Sequence, residues 1–316
     1  MEERYGITDE MYLEINPKLV IVHISGYEHP KFSGEVRKSQ SRENMEGTKM
    51  SEKEFHIVVF IKPVPDMEKV KFDTERGVVD RGSAPLEINP FDLNALEAAV
   101  QIKEKLGGEI TVVSMAPPAA ERVLKDAIAR GADRAILLSD KRFAGADTLA
   151  TSYTLASAIR KLGNFDLIIC GEKTVDGDTG QVGPEVAEHL EIPHVAYVSE
   201  IKEVSKERLL LVSELGIPYL VELKLPGLIT VTKDVNKPRL PTLKDKLKAR
   251  KAKIEIWTAD TLSDVADVNR FGFFGSPTQV VKCLVPPMKK RKGQIFKGED
   301  AIDKLVEALE KEGILR

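Results

Sequence analysis

Short apolar runs alternate with segments of helical spacing from Phe55 onward. Residues 55–61 form a run of strand length that is apolar except for His56, and residues 92–106 repeat apolar positions at helical intervals, predicting an amphipathic helix. Asp92 stands where a cap would serve that helix, and Gly107-Gly108 would stop it. A strand over 109–114, a helix over 118–130 ended by Gly131, and a strand over 135–138 follow in order. Asp147 then predicts the cap of a helix reaching Leu162-Gly163, residues 165–170 a further strand, and residues 185–190 a return to helical spacing. Strands separated by helices of this length predict a parallel sheet covered on both faces.

The rhythm changes after Pro193. Apolar runs at 194–198, 209–212, 219–223 and 228–232 predict strands that extend the sheet with antiparallel pairs. Lys237-Pro238 and Pro241 interrupt the pattern, and a basic helical stretch leads to a run at 254–257. Beyond Thr258 the sequence is irregular and carries Phe271-Gly-Phe-Phe-Gly275 and Pro286-Pro287, then an amphipathic helix with Ile302, Leu305, Val306 and Leu309 on one face. Such an arm has too few helix signals to build its own core, so it is expected to pack on another subunit, folding back on its own chain being the alternative. Residues 1–54 are polar and poorly periodic apart from a strand-like run at 19–24. The chain is therefore read as an N-terminal extension (1–54), an α/β domain (55–258) and a C-terminal arm with its helix (259–316).

Composition narrows the functional classes. The 316 residues are 42% hydrophobic, enough for a sizeable core, and the formal net charge is −3, which speaks against a dedicated nucleic-acid binder. Residues 233–253 hold nine Lys or Arg and residues 289–292 form a second basic cluster, but neither is interleaved with aromatics as an RNA-binding patch would be. Cys170 and Cys283 belong to no Cys-x-x-Cys pair, which argues against a disulfide framework, a cysteine zinc site or an iron–sulfur cluster held by this chain alone. No run approaches the ~18 apolar residues of a membrane span. The acidic start Met1-Glu-Glu-Arg is unlike a secretory signal, so the cytoplasm is the expected location.

The chemistry concentrates between the strand at 165–170 and the helix at 185–190. Gly177, Gly180 and Gly183 recur there at every third position, removing Cβ atoms so that backbone N–H groups can close on an anion beside a helix N-terminus. Pro184 belongs in the first helical turn. Asp176, Asp178, Thr179 and Gln181 add polar groups of the kind a nucleotide needs. In an open parallel sheet ligands bind outside the carboxyl ends of the strands, and Lys62-Pro-Val-Pro-Asp66, Asn89-Pro-Phe-Asp92, Met115-Ala-Pro-Pro118 and the glycine loop all fall there. Each alone could be a mere turn. There is no G-x-G-x-x-G after the first strand, no P-loop and no G-x-S-x-G elbow, and the five histidines show no metal-ligand spacing. No residue stands out as a catalytic acid, base or nucleophile.

Lys62-Pro-Val-Pro-Asp66, Asn89-Pro-Phe-Asp92, Gly131-Ala-Asp-Arg134, the loop from Gly171 to Gly183 and Leu223-Lys-Leu-Pro226, in this order, resemble the β subunit of electron-transfer flavoproteins. The resemblance covers roughly residues 55–257. It implies a Rossmann-like α/β fold of the adenine-nucleotide α-hydrolase type, with helices on both faces of a mostly parallel sheet, an extended C-terminal arm, and an α subunit as heterodimeric partner. It also implies a nucleotide held by Phe60, Asn89, Pro90, Phe91, Asp92, Met115, Gly171, Thr174, Val175, Asp176, Gly177, Asp178, Thr179, Gly180, Gln181 and Val182. Most members of the family hold AMP there, and the electron-bifurcating branch holds FAD. Members restricted to AMP tend to carry a bulkier acidic residue where Gly177 stands, so the loop resembles the bifurcating form. That form implies NADH as hydride donor, with electrons divided between the α-subunit FAD, towards a quinone, and ferredoxin. Quinone-reducing dehydrogenase and ferredoxin-like subunits are the implied further partners. Leu215-Gly-Ile-Pro218 departs from the Gly-Gly-Leu loop with which the family docks acyl-CoA dehydrogenases, which puts that docking in doubt. A non-bifurcating carrier with structural AMP and a nucleotide sensor of the universal-stress type are the alternatives.

Overall fold

The structure, a computed structural model, describes residues 20–23, 54–66, 69, 71–73, 78–80, 84–279 and 293–315. Most of the extension before residue 54, Cys283, Pro286-Pro287 and the basic cluster at 289–292 lie outside these. Of the described residues, those up to 73 and those from 79 to 279 make one compact unit, and residues 78 and 293–315 belong to another.

In chain order the elements are β1 (Val20–His23), β2 (His56–Phe60), β3 (Pro63–Pro65), β4 (Lys71–Asp73), β5 (Val78–Asp80), β6 (Leu86–Ile88), α1 (Pro90–Leu106) and β7 (Glu109–Met115). Next come α2 (Glu121–Ala129), β8 (Arg134–Leu138), α3 (Thr148–Leu162), β9 (Leu167–Gly171) and α4 (Val182–Leu190). The series closes with β10 (His194–Val204), β11 (Arg208–Glu214), β12 (Pro218–Lys224), β13 (Gly227–Val231), α5 (Leu243–Arg250), β14 (Glu255–Trp257) and α6 (Ala259–Leu262). The main sheet has ten strands in the order β1-β12-β11-β10-β13-β9-β2-β7-β8-β14. Every neighbouring pair is parallel except β12–β11 and β11–β10. The fold is thus α/β with a mostly parallel sheet.

Two sequence expectations need correction. The block after Pro193 is antiparallel only from β10 to β12, because β13 inserts between β9 and β10 and runs parallel to both. All five residues of β13 are buried, so both of its faces need cover, whereas β12 alternates in burial and suits a flank. The N-cap position of α1 is Asn89, and Asp92 lies inside the first turn, where its carboxylate is buried and bonded elsewhere. The cap expected at Asp147 is present, its side chain accepting from the N–H of Ala150 at 3.0 Å.

Apolar residues of α1 and α2, among them Leu96, Ala99, Val123 and Leu124, cover one face of the sheet with Val59, Ile110 and Val112 beneath. Ile159 of α3 and Val186 of α4 cover the other with Val58, Ile136 and Ile168. Residues 259–279 fold back onto this same chain. Gly272 has φ +55 and passes so close to the Arg142 carbonyl that a Cβ would sit 2.1 Å away, and this turn drives Phe271 inward. Its ring meets Phe143 edge-on at 5.2 Å between centroids and lies 5.8 Å from Tyr153, while Phe273 and Phe274 stay exposed. Thr278 ties the segment down by donating its hydroxyl to Asp147 at 2.7 Å. In the second unit α7 (Ala301–Lys311) matches the predicted amphipathic helix, and none of its residues is buried.

From β2 the chain winds through α1, β7, α2 and β8 towards one edge, then crosses by α3 to β9 on the other side of β2. The connections leaving β2 and β9 therefore diverge, and a crevice opens at their carboxyl ends.

Candidate functional site

One carboxylate joins the two strand ends at this crevice. The N–H of Lys62, just past β2, donates to Asp92 Oδ2 at 2.8 Å, and the N–H of Gly171, the last residue of β9, donates to Asp92 Oδ1 at 3.1 Å. Only glycine fits at 171, since a Cβ would lie 2.6 Å from both Asp92 Oδ1 and Phe91 Cβ. Burial drives the Asp92 carboxyl up to about 7, against the pull of these hydrogen bonds. Cys170 next to it is buried, and burial together with Asp92 pushes its thiol well above the ordinary range, away from the reactive thiolate.

The glycine loop hangs from Asn89. Its Nδ2 donates to the Lys173 carbonyl at 2.9 Å and its Oδ1 accepts from the N–H of Val175 at 3.2 Å, a two-point grip on the loop backbone. Lys62 Nζ reaches Asp176 at 2.7 Å, and Lys173 Nζ reaches Asp178 at 2.9 Å. Asp178 at φ 52 and Gly180 at φ 65 turn the chain through the left-handed region towards α4. Gly183, in the first turn of α4, could not bear a Cβ: it would stand 2.6 Å from Thr230 Cγ2 and 2.9 Å from Cys170 Sγ. That close approach draws the head of α4 onto the carboxyl ends of β9 and β13.

The N-cap position of α4 is Gln181, whose side chain makes no capping bond, and Pro184 has no N–H. The first-turn amides of Val182 and Gly183 have no intrahelical acceptor and sit at the positive end of the helix dipole. This arrangement binds anions.

The remaining expected contacts fall around the same crevice. Phe60 is buried and Met115 half-buried, at the ends of β2 and β7 on the α3/α4 face. Pro90 is exposed and Phe91 half-buried at the head of α1, with Lys173 Nζ 5.9 Å from the centre of the Phe91 ring. Thr174 is half-buried, and Val175 and Thr179 are exposed on the loop. Asn89 and Asp92 are buried with their polar atoms spent on backbone groups, so they support the loop from behind.

The sequence placed Lys62 and Lys173 within site segments without a role of their own, and gave none to Tyr197. Tyr197 has φ 55 at an irregularity of β10, and its hydroxyl lies 3.3 Å from where a Cβ on Gly180 would be. A lysine leaving a strand opposite an acidic glycine loop was the one available signal. A separate cleft of about 280 Å³, bordered by Leu86, Leu93, Arg122, Val123 and Arg130, shares no residue with the loop. Arg122 donates there to the Leu86 carbonyl at 2.9 Å, and Arg130 is paired with Asp126 at 2.8 Å.

Residues 76–262 match the family model described as the electron transfer flavoprotein domain. The chain belongs to the electron transfer flavoprotein family. It is 45% identical over 258 residues to the electron transfer flavoprotein subunit beta of Thermoanaerobacterium thermosaccharolyticum, covering 80% of this chain and 97% of the relative. It is 40% identical to protein FixA of Bradyrhizobium diazoefficiens, covering 80% and 91%. The caffeyl-CoA reductase-Etf complex subunit CarD of Acetobacterium woodii is also 40% identical, with 74% and 88% covered. Membership of this family makes electron transfer its field of action. Among the described residues no helix is long and apolar enough to cross a membrane.

Proposed function

We propose that the chain is the β subunit of an electron-bifurcating electron transfer flavoprotein and that its glycine loop holds FAD. The observation that carries this reading is the cradle itself. Uncapped amides at the head of α4 meet a loop that has no side chain at Gly177. A dinucleotide needs that combination: a positive helix end for one phosphate and bare backbone beside the next. The kinship with CarD, a subunit of a reductase-Etf complex, supports a place for the chain in a larger redox assembly.

Bound there, FAD would supply the redox chemistry, taking a hydride from NADH and passing electrons towards the α-subunit FAD with its quinone route and towards ferredoxin. The chain's own residues position and screen. Asp92 holds the ends of β2 and β9 together, Asn89 fixes the loop, and Phe60 and Met115 close the crevice floor on the α3/α4 face. Helix α7 leaves Ile302, Leu305 and Val306 exposed by 74%, 46% and 39%. An 11-residue helix is marginal alone, so in this reading the stripe packs on the α subunit.

Acid extraction of the purified αβ complex tests the assignment. Two FAD per αβ pair are expected; one FAD with one AMP would favour the non-bifurcating carrier, and a nucleotide-binding homodimer without flavin would favour the sensor. Gly177→Asp is expected to expel the β-subunit FAD while leaving the fold intact, and full flavin occupancy in that variant would contradict the placement.

A further inference from the structure

We propose that Lys62 and Gly177 form a subsite for the second phosphate of a dinucleotide, so that Lys62 sets a preference for diphosphate over monophosphate nucleotides. The inference rests on the nucleotide reading of the glycine loop.

Lys62 is anchored before its side chain begins, because its backbone N–H is held by Asp92 at the end of β2. The ammonium then reaches across the crevice to the loop. It lies 2.7 Å from Asp176 Oδ1 and 3.5 Å from Thr174 Oγ1. An ammonium has three N–H donors, and the third has no partner among the described residues. The side chain is 45% exposed, so the free donor is reachable from the crevice. Gly177 is what keeps it reachable: a Cβ at this position would stand 3.7 Å from Lys62 Nζ and 3.3 Å from Thr174 Oγ1, and any longer side chain would occupy the open side of the ammonium.

Charge makes the same assignment. Residues 172–178 carry Glu172, Asp176 and Asp178 against the single Lys173, an acidic surface on which to place a phosphate. Lys173 is engaged with Asp178 and lies near the Phe91 ring. A first phosphate can be met by the α4 amides without any lysine. A second phosphate beside Asp176 meets like charge unless a cation stands between them, and Lys62 is the cation in that place. Asp176 thus orients the ammonium, and the ammonium in turn makes the acidic loop tolerable to a diphosphate.

The test uses the αβ complex freed of nucleotide and titrated calorimetrically with ADP and AMP. The wild type is expected to bind ADP roughly tenfold more tightly than AMP, as a charge-assisted contact warrants. Lys62→Met should weaken ADP by about the same factor and leave AMP within about twofold, whereas Lys62→Arg should keep most of the ADP advantage. Gly177→Ala, with Lys62 intact but its open side narrowed, should move the ratio in the same direction as Lys62→Met and covers the case in which that variant does not fold. Equal weakening of both nucleotides would show that Lys62 only organises the loop, and an unchanged ratio would show that it does nothing for the second phosphate; either overturns the subsite. A wild type that binds both nucleotides equally overturns the subsite alone, while one that binds neither overturns the nucleotide reading and the subsite with it.

Discussion

Replacing Asp92 by Asn should change how stability depends on pH more than it changes stability at any one pH. Burial raises the Asp92 carboxyl from the ordinary 3.8 to about 7 in the fold. The native state therefore keeps a proton that the unfolded chain has already released, and stability falls as the pH climbs from about 4 to about 7. Below about 4 both states are protonated and nothing is lost; above about 7 the whole penalty applies, at most about 4 kcal/mol at ~1.4 kcal/mol per tenfold change. Asn carries no such penalty. It has a fixed cost instead, because one of the two oxygens that accept from Lys62 and Gly171 becomes an NH2 facing a donor, a loss of about 1–3 kcal/mol at every pH. Urea unfolding of both proteins between pH 5 and pH 8 should show the difference moving by about 2–3 kcal/mol in favour of Asn as the pH rises. Taking the difference cancels the titration of all other groups. A gap constant to within about 0.5 kcal/mol across this range would refute the claim that the carboxyl between the two strand ends is protonated near neutrality.

Gly183→Ala should cost about 1–3 kcal/mol in thermal unfolding and weaken nucleotide binding together, because the new methyl meets Thr230 and Cys170 on buried strands and lifts the head of α4; unchanged affinity would disconnect that packing from the site. Phe271→Ala empties a position that is 1% exposed and should cost about 3–5 kcal/mol, a large fall in melting temperature that a partner-facing residue would not give to the isolated chain. Arg239→Ala strands the buried Glu97, which it bonds at 2.8 Å, and should cost about 2–3 kcal/mol at neutral pH. Burial pulls the Glu97 carboxyl up, but the hydrogen bonds from Arg239 outweigh it and hold it below its ordinary value. The stabilisation is present above the unfolded value and is lost as the pH falls through the lower folded one, so the two proteins should converge in acid unfolding; a difference that persisted there would point to lost packing instead.

The parallel core was legible because its strands are buried on both faces and therefore read as continuous apolar runs, as in residues 57–61 and 167–170. The glycine loop was legible from Gly177, Gly180 and Gly183 at every third position, and two of the three are imposed by the fold: Gly180 turns the chain at φ 65, and Gly183 sits where packed side chains leave no room for a Cβ. Position in the sheet was not legible. Nothing local distinguishes β13, which sits between β9 and β10, from its antiparallel predecessors, because strand order depends on which faces remain to be covered once the other strands are placed. The roles of Asp92 and Phe271 were hidden in the same way. An acidic residue at the head of a helix has the same local signature whether it caps the helix or joins two strand ends, and a phenylalanine in an irregular arm has the same signature whether it faces a partner or its own core. By itself, then, the sequence determined the elements and the bare backbone of the loop, since both follow from local sterics and periodicity. Only the tertiary structure decided that Lys62 stands over Gly177 and that Asp92 joins β2 to β9, because these contacts connect residues far apart in the chain and exist only once the sheet has brought its strand ends together.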